Sequence, residues 1–491
     1  MIANYYQYYN YLGAFYPYYF NDDRGIKQID RILLNQLKSY SNKPELDEIA
    51  ILEVLKSRFM LGDRTIIKGI NRSPWMARPS ENNSEWEYFE IKNHGKILLD
   101  EKLIADKFFK LVCNEIKKFI KESKKIGILL SGGMDSRIVA GCLDYLLKTD
   151  QIGVKSVTAY TWGNTQSRDV VYAKAIANRL NWKWKHYKVS SQDLWENFKI
   201  SGYRGAEYSG IHLHAIPQIK KDLDVDLILA GSYGDSMGRG EYGNMRVDKL
   251  KSIKKSFSNF NNFLRNQNYN NIKNNWKNDI QQYHKLFPRE KQYQQNELDF
   301  QIHYMRRMLN SCFEILNEKK PTYQVFTNPE IYQFIWSLDP SVRKDKVYKY
   351  LMEKFETKLD DVPWARTGLP YLEKGESDSL TKNHHSYSHF IQNDLINKIE
   401  ERVLSKRMLS LNIFNARAIK TTIKLIKLRP NYNFDYLERL TWLVSLDFFL
   451  EQINYEPNKG KGHSLNLMDL LNAYIIVPAR YLSLNTLRRY L

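Results

Sequence analysis

Cysteine is scarce. Only Cys113, Cys142 and Cys312 occur in 491 residues, widely spaced, so neither a disulfide framework nor a metal-ligand pairing can be read from them. That points to a reducing cytoplasm. No run of 18 or more apolar residues exists, which excludes a transmembrane helix. The N-terminal stretch MIANYYQYYNYLGAFYPYYF is aromatic rather than aliphatic, lacks a basic start and offers no cleavage site, so it is not expected to be a secretory signal. Neither a zinc-finger spacing nor an RNA-binding aromatic motif accompanies the net charge of +19. The lysines are spread along the whole chain among many Asn and Tyr residues, so the charge reads as a solvated basic surface and not as a nucleic-acid site. With 43% apolar and 26% charged residues, what remains is a globular chain of two or three domains.

The first hundred residues read as mixed, with a helical stretch around Glu45–Phe59 and a strand candidate at Glu87–Ile91. From about Asp100 strands and helices alternate. Apolar residues at helical spacing run through Lys102–Lys124, and Ile126–Leu130 reads as a buried parallel strand. Arg137–Leu147 is a helix, Val157–Trp162 a second strand, Asp169–Leu180 a second helix, and Trp184–Val189 and Leu227–Ala230 two further strands. This alternation predicts an α/β fold, a parallel sheet flanked by helices, with ligands at the carboxyl ends of the strands. Residues 250–300 are polar and read as exposed helices, 372–388 as a polar break, and the last hundred residues as mainly helical. The resulting division is 1–100, 101–371 and 389–491.

Ser131-Gly132-Gly133-Met134-Asp135-Ser136 falls between the first strand of the alternation and a helix. Two glycines let backbone approach an anion, and the helix N-terminus presents free N–H groups. Ser131 and Ser136 add hydroxyl donors, and Asp135 is a hard oxygen ligand able to hold Mg²⁺ against phosphate. It is not a P-loop, because no Gly-Lys-Ser/Thr follows.

This loop resembles the SGGxDS loop of the ATP pyrophosphatases, specifically the synthetase domain of class B asparagine synthetases. Trp162-Gly163 with Ser167–Ala177 is similar to that family's second strand and helix. Leu227–Asp235 is similar to its S-G-E-G-x-D-E loop, Asn328–Leu338 with Lys346–Leu351 to a later helix pair, and Gly62–Ile70 to the end of its N-terminal domain. The resemblance implies an adenine nucleotide alpha hydrolase-like fold and an ATP-dependent ligase that adenylates a carboxylate, releases pyrophosphate and forms an amide with ammonia or an amine. It implies pyrophosphate at Ser131, Gly132, Gly133 and Ser136, and Mg²⁺ shared by Asp135 and Asp235. Adenine and ribose would lie against Leu130, Trp162, Ala230 and Gly231. Arg366, in Pro363–Gly368, falls near the family's late lysine.

Three departures from the family pattern matter. Position 2 is Ile2 where glutamine-dependent members carry cysteine, so no glutaminase activity is expected and the nitrogen would come from free ammonia, an amine or a separate glutaminase. The catalytic Glu falls on Ser232 and the last Glu of that loop on Ser236, so Glu207 or Glu241 is expected to substitute as carboxylate. Arg366 replaces lysine with charge kept. The acceptor is therefore open: aspartate, a sugar acid or a peptide side chain. Alternatives are an RNA- or nucleobase-modifying pyrophosphatase and a degenerate nucleotide-binding relative. His212-x-His214 reads as structural, the N-terminal tyrosines as core aromatics, and Arg417–Arg429 as an ordinary amphipathic helix.

Overall fold

The computed structural model describes residues 9–13, 17–40, 42–243, 245–253, 259, 261–377, 379–428, 434–456 and 466–487. Ile2 and Arg429, on which two of the expectations fall, lie outside the described residues. The alternating segment folds as α1 (Glu101–Ile120), β1 (Lys125–Leu129), α2 (Met134–Lys148), β2 (Ser156–Trp162), α3 (Arg168–Arg179), β3 (Lys183–Tyr187), α4 (Ser191–Tyr203) and β4 (Leu227–Ala230). A fifth strand, β5 (Thr322–Gln324), is too short and too polar to have been recognised in the sequence. The five form one parallel sheet in the order β5-β4-β1-β2-β3.

Side-chain alternation explains why β4 is apolar throughout and β1 is apolar beyond its exposed first residue, Lys125. Ile126 and Ile128 of β1 and Leu227 and Leu229 of β4 face α1, α2 and α3, joining Phe108, Val112, Ile138, Leu143 and Ile176 in the largest core cluster. Leu129, Ile228 and Ala230 face the other way, onto Leu213, Ile216, Phe313 and Leu316. With both faces covered, neither strand keeps a polar side. Helix starts follow local chemistry: Asp100 accepts from the N–H groups of Lys102 and Leu103, and Ser190 and Asp193 form a capping box at α4.

The chain runs outward from β1 to β3, then returns to the other side of β1 as β4. The carboxyl ends of β1 and β4 are therefore the topological switch point, where α/β sheets open a crevice. The loop at 131–136 follows β1 and the loop at 231–235 follows β4. The motifs meet because of strand order.

The N-terminal hairpin (Tyr18–Asp22 with Gly25–Asp30) and helix Glu48–Ser57 share a second core with α4 and with C-terminal helices including Phe434–Gln452. Tyr9, Tyr11, Tyr18 and Tyr19 are buried, as expected of core aromatics. Helix Ala416–Leu428 buries Ala418, Ile419, Ile423 and Ile426. No described helix is long and apolar enough to cross a membrane.

Two expectations need correction. Residues 292–299 are not an exposed helix: Gln294, Asn296, Glu297 and Asp299 are buried. Their polar side chains are taken up by the protein. Arg343 and His94 both bond Glu297, and Asn296 donates to the Leu250 carbonyl. Nor is 372–388 only a break, since its second half is laid over the crevice.

Candidate active site

The loop after β1 is tied to itself. Ser136 Oγ accepts from Ser131 N at 3.1 Å and lies 3.1 Å from Ser131 Oγ, which accepts from Gly133 N at 3.1 Å. Gly133 stands at the N-cap of α2 with no side-chain cap, so the first N–H groups of the helix have no side-chain acceptor there. Arg137 anchors the loop from behind. Its guanidinium donates to the carbonyls of Gly132, Leu359, Val362 and Pro363 at 3.1, 3.0, 2.5 and 2.9 Å. Burial lowers its pKa to about 9. This clamp, which no sequence motif signals, sets Trp364-Ala365-Arg366 against the loop, and Ala365 N also donates to Gly132 O at 3.2 Å.

The loop after β4 folds onto Asp135. A Cβ on Gly234 would come within 2.5 Å of Asp135 Cβ and Cγ, so only glycine permits the approach. Asp235 N donates to Asp135 Oδ2 at 2.9 Å, while Oδ1 is shielded from solvent with no hydrogen-bond partner. Burial and the charge of Asp235 push the Asp135 carboxyl well above the usual carboxylate range, against the pull of Arg239.

A wide π turn, Asp235–Arg239, then brings Arg239 back over Asp235. Arg239, 1% exposed, pairs with Asp235 and reaches Asp345 at 2.9 Å and Glu241 at 3.3 Å. Arg366 lies 3.8 Å from Asp235, 4.4 Å above the ring of Trp364, and donates through both terminal nitrogens to Glu241 at 3.0 Å.

Two cavities meet at this loop. One, of about 260 Å³, is lined by Leu130, Ser131, Gly133, Asp135, Ser136, Trp162 and Gly231, and is closed by Met308, Cys312, Phe313, His212, His214 and His384. The other, of about 520 Å³, shares Ser131, Gly133 and Asp135 and adds Asp235, Arg239, Trp364, Arg366 and Lys382. The expected residues Leu130, Ser131, Gly133, Asp135, Ser136, Trp162, Gly231, Asp235 and Arg366 thus line one cavity or both. Gly132 and Ala230 line neither: Gly132 turns toward Ala365, and Ala230 faces the apolar layer beneath.

The two histidines read as structural belong to the first cavity. Gly210–Leu213 is a 3₁₀ turn, so both rings reach the crevice, their centroids 6.4 Å apart. His212 Nε2 bonds Glu438 at 2.5 Å, and His214 stacks near Trp162 and bonds Tyr387. Burial, helped by His212, His385 and His384, holds His214 well below the usual imidazole range, and burial brings His385 down to about 4. Among the described residues no group of three or more His, Cys, Asp or Glu could hold a metal ion by itself.

Ser232 lines the first cavity and its N–H donates to Gln324 Oε1 at 3.0 Å. Ser236 is buried behind the turn. Glu207 is no replacement for the family Glu. Its carboxylate is held by Arg72, Arg307 and Tyr18 in an ion-pair network, and it lines neither cavity. Glu241 is at the site but bound to Arg366. The cysteines are buried; Cys113 and Cys142, distant in sequence, interact in the core, and burial pushes Cys312 up to about 12.

The sequence model of asparagine synthase matches residues 111–360, just over half of the chain. Among curated proteins the chain is similar to mouse asparagine synthetase [glutamine-hydrolyzing], 28% identical over 160 residues, 30% of this chain and 26% of the mouse protein. It is also similar to the human enzyme, 27% over 167 residues, covering 32% and 26%. A putative asparagine synthetase [glutamine-hydrolyzing] 1 of Methanocaldococcus jannaschii is 23% identical over 141 residues, covering 27% and 24%. The matched stretch spans about a quarter of each relative's length. A matched stretch of this extent, placed on a five-stranded parallel sheet with its loop at the switch point, makes the chain a member of the asparagine synthase family.

Proposed function

We propose that this chain is an ATP-dependent, amide-forming ligase that releases pyrophosphate and AMP. The observation that carries this reading is the pair of cavities meeting at one anion-binding loop, one without Lys or Arg behind Ser131–Asp135 and one in front of it that gathers Arg239, Arg366 and Lys382. The nucleoside fits the first, against Leu130, Trp162 and Gly231, with Ala230 fixing the loop from below. The phosphate chain crosses Ser131, Gly132, Gly133 and Ser136, where N–H groups at the α2 N-terminus face it. Arg239 and Arg366 lie beyond, in the second cavity.

In the first step a carboxylate oxygen of the acceptor attacks the α-phosphorus of ATP and the bond to pyrophosphate breaks. In the second, the nitrogen lone pair of ammonia or an amine attacks the acyl carbon, AMP leaves, and the nitrogen loses a proton. Arg366 supplies positive charge near the leaving pyrophosphate, and Glu241 positions Arg366. Mg²⁺ fits Asp135 and Asp235, both hard oxygen donors, one with an unpartnered shielded oxygen; when bound it would neutralise phosphate charge.

Aspartate, a sugar acid and a peptide carboxylate are candidate acceptors, with free ammonia or an amine as nitrogen source. The test is isotope exchange between ATP and pyrophosphate over a panel of such acids, with glutamate release from glutamine measured alongside. Acid-dependent exchange without glutamate release is expected. Nucleotide binding with no exchange for any acid would instead favour a nucleotide-binding relative that has lost the chemistry.

A further inference from the structure

We propose that Lys382 is a phosphate-binding residue of this site, carried there by a strap, residues 379–385, outside the stretch matched to the family. The inference rests on the nucleotide reading above. Lys382 lines the larger, charged cavity beside Ser131, Gly133 and Asp135, and His384, two residues on, lines the smaller one, which has no Lys or Arg. One short segment therefore reaches both halves of the crevice.

The strap is pinned on both sides of Lys382. Arg168 N donates to Thr381 O at 3.0 Å, Asn164 Nδ2 to Asn383 O at 2.9 Å, and Asn164 N to His384 O at 2.8 Å. Ser167 and Thr381 form a parallel bridge. The seat is Gly163, at φ +122°, where a Cβ would lie 2.6 Å from His384 O. Any side chain there would push the strap off the β2–α3 turn.

Charge explains why another cation is needed. Arg239 and Arg366 are the only guanidiniums lining the cavity among the described residues, and they already face Asp235, Glu241 and Asp345. With Asp135 and Asp169, which also line the cavity, five carboxylates surround the two arginines, a cradle that by itself repels a phosphate chain. Lys382 is differently placed. It pairs with Glu376, the two side chains 55% and 40% exposed, and Glu376 is also bound by Arg168 at 2.8 Å. An ion pair this exposed contributes little, so the ammonium can exchange it for phosphate at small cost.

The experiment is calorimetric titration of the full chain with Mg–ATP, inorganic pyrophosphate and AMP. Lys382→Ala is expected to weaken ATP and pyrophosphate roughly ten- to hundredfold, the range of a charged hydrogen bond, with AMP unchanged. Lys382→Arg should restore most of the affinity. Glu376→Gln separates contact from scaffolding: it should leave ATP binding equal or tighter, whereas a merely structural pair would make it copy Lys382→Ala. Equal ATP affinity in wild type and Lys382→Ala overturns this inference and leaves the nucleotide reading intact. Equal losses of ATP and AMP also overturn it, since they report a displaced strap. A wild-type chain that binds neither ATP nor pyrophosphate refutes the nucleotide reading itself.

Discussion

The two cavities share three residues and differ in nearly everything else. The smaller is walled by aliphatic, aromatic and imidazole groups and has no Lys or Arg in its lining. His214 is held neutral by burial and by its histidine neighbours, so the wall carries dipoles and little charge. The larger is crowded with ionised groups that satisfy one another. Binding in the first is governed by shape and desolvation, and in the second by charge balance. A ligand spanning both must have an uncharged end and a strongly anionic end, which is the chemistry of a nucleoside polyphosphate.

This contrast can be broken one side at a time. The largest effect is expected at the shared loop. Asp135→Asn removes a carboxylate that faces both cavities and should cut exchange at least about 10²-fold, with the thermal midpoint little changed. Exchange near the wild-type rate would remove Asp135 from the chemistry. Next, Trp162→Ala should weaken AMP and ATP alike, about tenfold, and leave pyrophosphate affinity as it was. Loss of pyrophosphate binding instead would mean the two cavities are not separable.

On the charged side, Glu241→Gln removes the carboxylate whose one oxygen takes both Arg366 hydrogen bonds and should lower turnover about tenfold with ATP affinity largely kept. Glu207→Gln should act on stability only, because that carboxylate belongs to the second core. A turnover loss for Glu207→Gln in folded protein would contradict its placement.

The smallest effect is acid sensitivity. His214, His384 and His385 face one another, His212, Trp162 and Tyr387, with Glu438 on His212 and Asp169 near His384. Their folded pKa values lie below 6.5, His385 near about 4, so the unfolded chain binds more protons below pH 6.5. Stability is full above that pH and declines as pH falls toward 4. Thermal midpoints measured from pH 7.5 to 5 should fall, and His385→Gln should make the fall shallower. A midpoint constant over that range would show that the wall is already charged.

Much of this site was legible from residues alone because its chemistry is local. A strand, two glycines, two serines and an aspartate before a helix define an anion loop within a dozen residues, and the central strands Ile126–Leu130 and Leu227–Ala230 stand out as apolar runs. What escaped was non-local. Arg137 reads as an ordinary helical arginine until Leu359, Val362 and Pro363 are folded over it. His212 and His214, two residues apart, would face different sides of an α-helix, whereas at the 3₁₀ turn Gly210–Leu213 both line one crevice. Glu207 and Glu241 are equivalent as candidates by sequence distance; one is locked in a core network and the other beside the site. The strap looked like a polar break because its hydrogen bonds go to residues some 200 positions earlier.

The sequence by itself determined the α/β alternation, the anion loop and its helix, the carboxylate that loop carries, and the serines where the family pattern has glutamates. Each is set by propensity, periodicity or side-chain chemistry over short separations. Only the tertiary structure decided that the loop after β4 lies on Asp135, that two arginines are neutralised by surrounding carboxylates, and that Lys382 and His384 reach the two cavities. Those outcomes depend on strand order and on close approaches that glycine alone permits at positions 163 and 234. Strand order is chosen by the burial of whole faces, a sum over the chain that no short window of sequence contains.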